Sequence, residues 1–94
     1  MVSIAGAMAE NSALASLTAR VRDSQARYDA IRDMLPEALR AHVRPGPIDE
    51  RGWTLLAANG SIAAKLRQTL PELEAALQAR GWETTPIRVR IQSA

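Results

Sequence analysis

The stretch from Trp53 to Gly81, WTLLAANGSIAAKLRQTLPELEAALQARG, decides the fold. From Trp53 to Ala58 the side chains alternate, with Trp53, Leu55 and Ala57 on one face and Thr54, Leu56 and Ala58 on the other, which predicts a strand whose first face meets the core. Asn59-Gly60-Ser61 ends that strand and opens a helix, with Ser61 the expected cap. On this helix Ile62, Ala63, Leu66 and Leu70 fall within a sector of about 100° and face inward. Lys65 and Arg67 lie on opposite flanks, roughly 160° apart, so they form no patch by themselves. Thr69 stands three residues before Glu72, with Pro71 between them, in the form of a capping box, which predicts that a second helix starts here in a new direction. Leu70, Leu73 and Leu77 line its buried side, while Glu72, Glu74, Gln78 and Arg80 face outward. Gly81 is placed to terminate it in a left-handed conformation, and Trp82 to fold back on Leu77.

Downstream, Ile87 to Ile91 alternates in the same manner, giving a strand with an apolar face and, opposite it, the guanidinium groups of Arg88 and Arg90. With helices on one side of the sheet only, these two arginines lie on the open side beside Thr54 or Leu56. Upstream, Val43 to Ile48 reads as an edge strand, because Pro45 and Pro47 lack a ladder donor. Asp49 to Gly52 is a polar turn. Leu35, ahead of Pro36, is pushed away from helical angles. Pro36 to Ala41 then suits a short helix with Glu37 near its positive end and His42, an exposed or capping side chain, near its negative end.

Leu14, Leu17, Val21, Ser24, Tyr28, Ile31 and Leu35 recur at steps of three and four, a single stripe with a polar break at Ser24. They predict a long amphipathic helix over 12–34, about 35 Å in length, more than the remaining domain covers. Residues 1–11 read as a flexible tail and 35–92 as the folded core. The N-terminal half of the helix, with Leu14, Leu17 and Val21, either frays or folds back, or projects as a candidate seam for self-association or partner docking, and exposed Leu56 is a candidate protein contact. The expected order is helix, short helix, strand, strand, helix, helix, strand: an α+β domain with a three-stranded sheet and helices packed on one face.

Composition bounds the chemistry. The 94 residues make one domain, burying roughly 60 to 65 % of the unfolded surface. Zero cysteines and one histidine exclude disulfides, thiolate metal sites and the usual histidine zinc sets, so no metal and no cofactor are expected. No apolar run approaches the roughly 18 to 20 residues that span a bilayer, and the N-terminal stretch lacks the pattern of a signal peptide, so the expectation is a cytoplasmic protein with no membrane contact. Twelve Lys and Arg against ten Asp and Glu give a net charge of +2, too small to argue nucleic-acid binding from the total. The distribution is more telling, since all but one of the cations are Arg, whose planar fork suits phosphates. The acids Asp49, Glu50, Glu72 and Glu74 fall in turns or on outward faces rather than in an apolar pocket, which argues against an enzyme.

This order of elements resembles a type II KH-like domain. The segment Arg67 to Glu72, between the two expected helices, lacks the GXXG loop with which KH domains grip nucleic acid. The chain also resembles the DciA family of bacterial proteins associated with the replicative helicase. That resemblance is carried by Leu35-Pro36 with Leu39 and His42, by Gly52-Trp53-Thr54-Leu55, by Ser61 to Arg67 followed by Leu70-Pro71 and Leu77, and by Ile87 to Gln92, over about residues 28–92. It implies a noncatalytic DNA-replication factor that binds the replicative helicase, assists its recruitment or loading and touches single-stranded DNA weakly. Lys65, Arg67, Arg88 and Arg90 would contact phosphates. The alternative is a KH-like RNA-binding protein acting on transcripts or ribosomes.

Overall fold

The structure is a computed structural model that describes the backbone of residues 4–83 and 85–92 and, within these, the side chains from Ala13 onward. Helix α1 spans Ile4–Ile31 and runs into a 3-10 turn over Arg32–Met34. It thus begins eight residues ahead of the expected start at Ser12. Ala5, Ala7 and Ala9, strong helix formers, extend it through most of the segment read as a tail. Residues 1–3 lie outside the described ones. Leu35 is extended, at φ −75° and ψ 137°, as a residue before proline must be, and Pro36 caps the short helix α2, Glu37–Arg40. The Arg40 side chain folds back to donate to the carbonyls of Arg32, Leu35 and Asp33, which closes this corner.

Strands β1 (Val43–Asp49), β2 (Gly52–Ala57) and β3 (Ile87–Ile91) form one sheet in the order β1-β2-β3. β1 pairs antiparallel with β2 through a tight hairpin in which the Asp49 carboxylate accepts from the backbone N–H groups of Arg51 and Gly52. β2 pairs in parallel with β3, from Trp53 beside Ile87 to Ala57 beside Ile91. As the prolines require, β1 lies at an edge and its register shifts between Pro45 and Ile48. Gly46 sits in that irregularity, and a Cβ there would come within 2.8 Å of the Thr54 carbonyl oxygen, so no larger residue fits without moving the strand.

Helix α3 runs without a break over Gly60–Ala79. Two expectations fail here. The cap is Asn59 rather than Ser61, because the Asn59 side chain accepts from the Ile62 N–H. The box at Thr69 and Glu72 starts no second helix: the Thr69 hydroxyl instead donates to the Lys65 carbonyl one turn earlier, and Pro71 lies inside the helix. The C-terminus of α3 ends as expected, with Gly81 at φ 84°, its N–H on the Gln78 carbonyl and the Trp82 N–H on that of Leu77.

α1 and α3 cover one face of the sheet, giving an α+β domain with helices against a three-stranded mixed sheet. Trp53, Leu55 and Ala57 are fully buried in that layer with Ile31, Leu35, Leu66 and Leu73. In the middle of the layer Ser24 Oγ donates to the Gly46 carbonyl at 2.6 Å and accepts from Trp53 Nε1 at 2.9 Å. One turn on, Tyr28 Oη donates to the Val43 carbonyl; burial pushes its pKa up, against a smaller opposing pull from Arg32 and Arg40, so it remains a donor at neutral pH. Arg27, buried on the same helix, is held by Asp23 at 2.8 Å, the Glu83 carbonyl and the face of Trp82.

Replacing Ser24 by Ala leaves a buried indole N–H and a half-buried carbonyl without the Ser24 hydroxyl, and we expect a loss of about 1–3 kcal/mol in urea denaturation. Pro71→Ala restores the N–H that a helix interior uses and removes the ring clash, so stability should rise by about 1–3 kcal/mol. A helix restarting at Pro71 would instead make that substitution close to neutral, and chemical denaturation distinguishes the two.

Candidate nucleic-acid interface

Residues paired across a sheet share a face. Arg44 pairs with Leu56, and Leu56 with Arg90, so the three form one rung across the uncovered side. Arg88, beside Thr54, belongs to the neighbouring rung. At strand spacings of about 4.8 Å, and a rise of about 3.3 Å per residue, the α-carbons of Arg44 and Arg90 are roughly 10 Å apart and those of Arg88 and Arg90 about 7 Å. All three arginines are exposed. None of their side chains makes a hydrogen bond or ion pair with a described residue; among these the ion pair within 4.0 Å is Arg27 with Asp23. The acid in line with this face is Asp49, at the hairpin end, and its carboxylate is occupied by the turn N–H groups. Among the described residues the face is therefore a cluster of guanidinium groups without side-chain partners around one aliphatic side chain.

Leu56 also forms part of a groove of about 560 Å³, bounded on one side by Leu17, Arg20 and Val21 of α1 and on the other by Pro45, Pro47 and Ile48 of β1. The expected protein-contact residues Leu17, Val21 and Leu56 are thus brought together, although they stand far apart in sequence; Leu56, expected to be exposed, is half-buried against this groove. Leu14 lies one turn further out on α1, exposed.

The phosphate-contact residues expected from the sequence divide between layers. Arg88 and Arg90 are on the open sheet face as expected. Lys65 and Arg67 are exposed on α3, which packs on the other side of the sheet, and so stand outside the arginine cluster. Arg44 is the residue that the sequence reading missed. Its place depends on the register of β1 against β2, which the prolines disturb; the legible signal was its position next to Val43, since an inward Val43 turns its neighbour outward. Because α3 is continuous, the chain has no loop between its last two expected helices where a backbone clamp could form. Among the described residues no group of three or more His, Cys, Asp or Glu is placed to hold a metal ion, and no helix is long and apolar enough to cross a membrane. No protein-family model, curated protein or solved structure matches the chain.

Proposed function

We propose that this protein is a noncatalytic DNA-replication factor of the DciA type, which lays single-stranded DNA across its open sheet face and binds the replicative helicase. The observation that carries this reading is the set of three guanidinium groups, Arg44, Arg88 and Arg90, around Leu56, with no ion-pair partner among the described residues. α-Carbon spacings of about 7 Å from Arg88 to Arg90 and about 10 Å from Arg44 to Arg90 let these long side chains reach successive phosphates of an extended strand, and a planar fork engages phosphate oxygens in pairs. Leu56 offers an aliphatic surface for a base between them. With no aromatic platform on this face, attraction to the backbone dominates and sequence preference is low. The unbroken α3 counts against the KH-like RNA-binding alternative, which needs a loop at that point. The helicase contact rests on the resemblance over residues 28–92.

Three phosphate contacts give a slope of about −2 for log affinity against log salt, a fall of roughly 20-fold between 50 and 200 mM. Fluorescence anisotropy with a labelled oligothymidylate tests this. Replacing Arg44, Arg88 or Arg90 by Ala should each flatten the slope by about 0.7, whereas Lys65→Ala and Arg67→Ala should leave it unchanged. Salt-independent binding, or normal binding by the triple Arg→Ala variant, would remove the sheet face from the reading. With the purified chain as bait in native cytoplasm, the replicative helicase should be recovered; ribosomal particles alone would favour the RNA alternative.

A further inference from the structure

The two edges of the sheet are not alike. β1 carries Pro45, Pro47 and a register shift, each of which spoils pairing with a further strand. β3 has neither proline nor register shift, and it pairs with β2 on one side only. The bonds at its two ends set which way its backbone points. Trp53 N–H donates to the Pro86 carbonyl at 2.8 Å, and Gln92 N–H to the Ala57 carbonyl at 2.7 Å. In a parallel ladder alternate residues bond to a given neighbour, so Arg88 and Arg90 serve β2 while Ile87, Val89 and Ile91 turn their N–H and carbonyl groups outward. In keeping with that phase, a Glu74 carboxylate oxygen of α3 accepts from the Ile87 N–H at 3.4 Å and occupies the first of these donors. The N–H groups of Val89 and Ile91 meet no acceptor among the described residues.

The side chains along this edge define the chemistry of a strand that would pair with it. Arg88 and Arg90 are exposed on the open face, while Val89, half-buried, and Ile91, 53 % exposed, stand on the helix side. A strand laid alongside sets every second residue next to an arginine and the others next to Val89 or Ile91. Acidic residues alternating with apolar ones match both rows. A second copy of β3 does not. An antiparallel self-pair centred on Val89 sets Arg88 of each copy against Arg90 of the other, and like charges directly opposite are destabilising.

We infer that β3 takes up an extended acidic segment of a partner protein as a fourth strand, with carboxylates on Arg88 and Arg90 and apolar side chains beside Val89 and Ile91. Main-chain bonds to Val89 and Ile91 supply the attachment, and the two arginines select the sequence. Glu74 closes the edge at Ile87 and repels an acidic strand from that end, which sets the strand toward Ile91. The site shares two arginines with the nucleic-acid face but needs no nucleic acid, and Arg44, on the far strand, lies outside it.

The probe is a labelled peptide of about eight residues alternating Val and Asp, followed by fluorescence anisotropy without DNA. It should bind, whereas its counterpart alternating Val and Lys should not at concentrations up to about 1 mM. Two N-methylated versions separate strand pairing from charge attraction. In an antiparallel pairing the Val amides face β3, and in a parallel one the Asp amides do. Methylating one set should therefore weaken binding by about tenfold or more, and methylating the other should leave it unchanged. Ile91→Pro removes an outward N–H at an exposed position without touching the ladder to β2. It should keep the native circular dichroism and the salt slope of oligothymidylate binding while losing about tenfold in peptide affinity. Failure of the acidic peptide to bind, equal affinity of the two methylated versions, or normal peptide binding by a folded Ile91→Pro chain each overturns the proposal. Peptide binding by a chain that ignores oligothymidylate supports this site and removes only the strand-binding reading.

Discussion

One hydroxyl holds the architecture together. Ser24 stands where the apolar stripe of α1 would otherwise carry a leucine, and it ties the helix to both strands beneath it through the Gly46 carbonyl and the Trp53 indole. The edge strand makes this necessary. As an edge strand β1 has carbonyls that its ladder with β2 does not use, and one shielded from water without a donor costs about 1–3 kcal/mol. Ser24 and, a turn later, Tyr28 supply the donors. The bonds also fix how far α1 stands from β1, and so create the groove between Leu17 and Val21 on one side and Pro45 and Pro47 on the other.

The opposite face follows from strand order. With β2 central, each of its outward residues is flanked by one from each edge, and at Leu56 both flanking residues are arginines. Gathering three cations costs little in water: a pair of unit charges about 7 to 10 Å apart, the spacing of their α-carbons, repels by only about 0.5 kcal/mol. The same smallness makes the cluster sensitive to its surroundings, since a Debye length of about 8 Å at physiological ionic strength is comparable to the spacing of the arginines. A face of this kind attracts a polyanion held close along its length and exerts little pull at a distance.

Local patterns were legible in the sequence and nonlocal ones were not. The alternation of Trp53 to Ala57 and of Ile87 to Ile91, the break at Leu35-Pro36 and the ending at Gly81-Trp82 each depend on a few neighbouring residues, and each is found where the pattern places it. The box at Thr69 and Glu72 misled because the same threonine hydroxyl has a second use, bonding back to the Lys65 carbonyl, and burial of Leu66 and Leu73 on one continuous face outweighs the cost of Pro71. Ser24 looked like a gap in a stripe; only the fold supplies the carbonyl and the indole that make it a junction. Half of the arginine face was readable from β3 alone. Arg44 was not, because its neighbours are set by a pairing whose register bends around Gly46.

The two tryptophans of the chain occupy contrasting settings. Trp53 is sealed in the core with its nitrogen bonded to Ser24, whereas Trp82 is half-exposed beyond the end of α3, under the Arg27 guanidinium at 5.0 Å. Their fluorescence is therefore separable, one emitter blue-shifted by its dry surroundings and the other red-shifted and open to quenchers. Light emitted by the first reports whether sheet and helices are still clasped, and light from the second whether the turn that delivers the chain to β3 has loosened first.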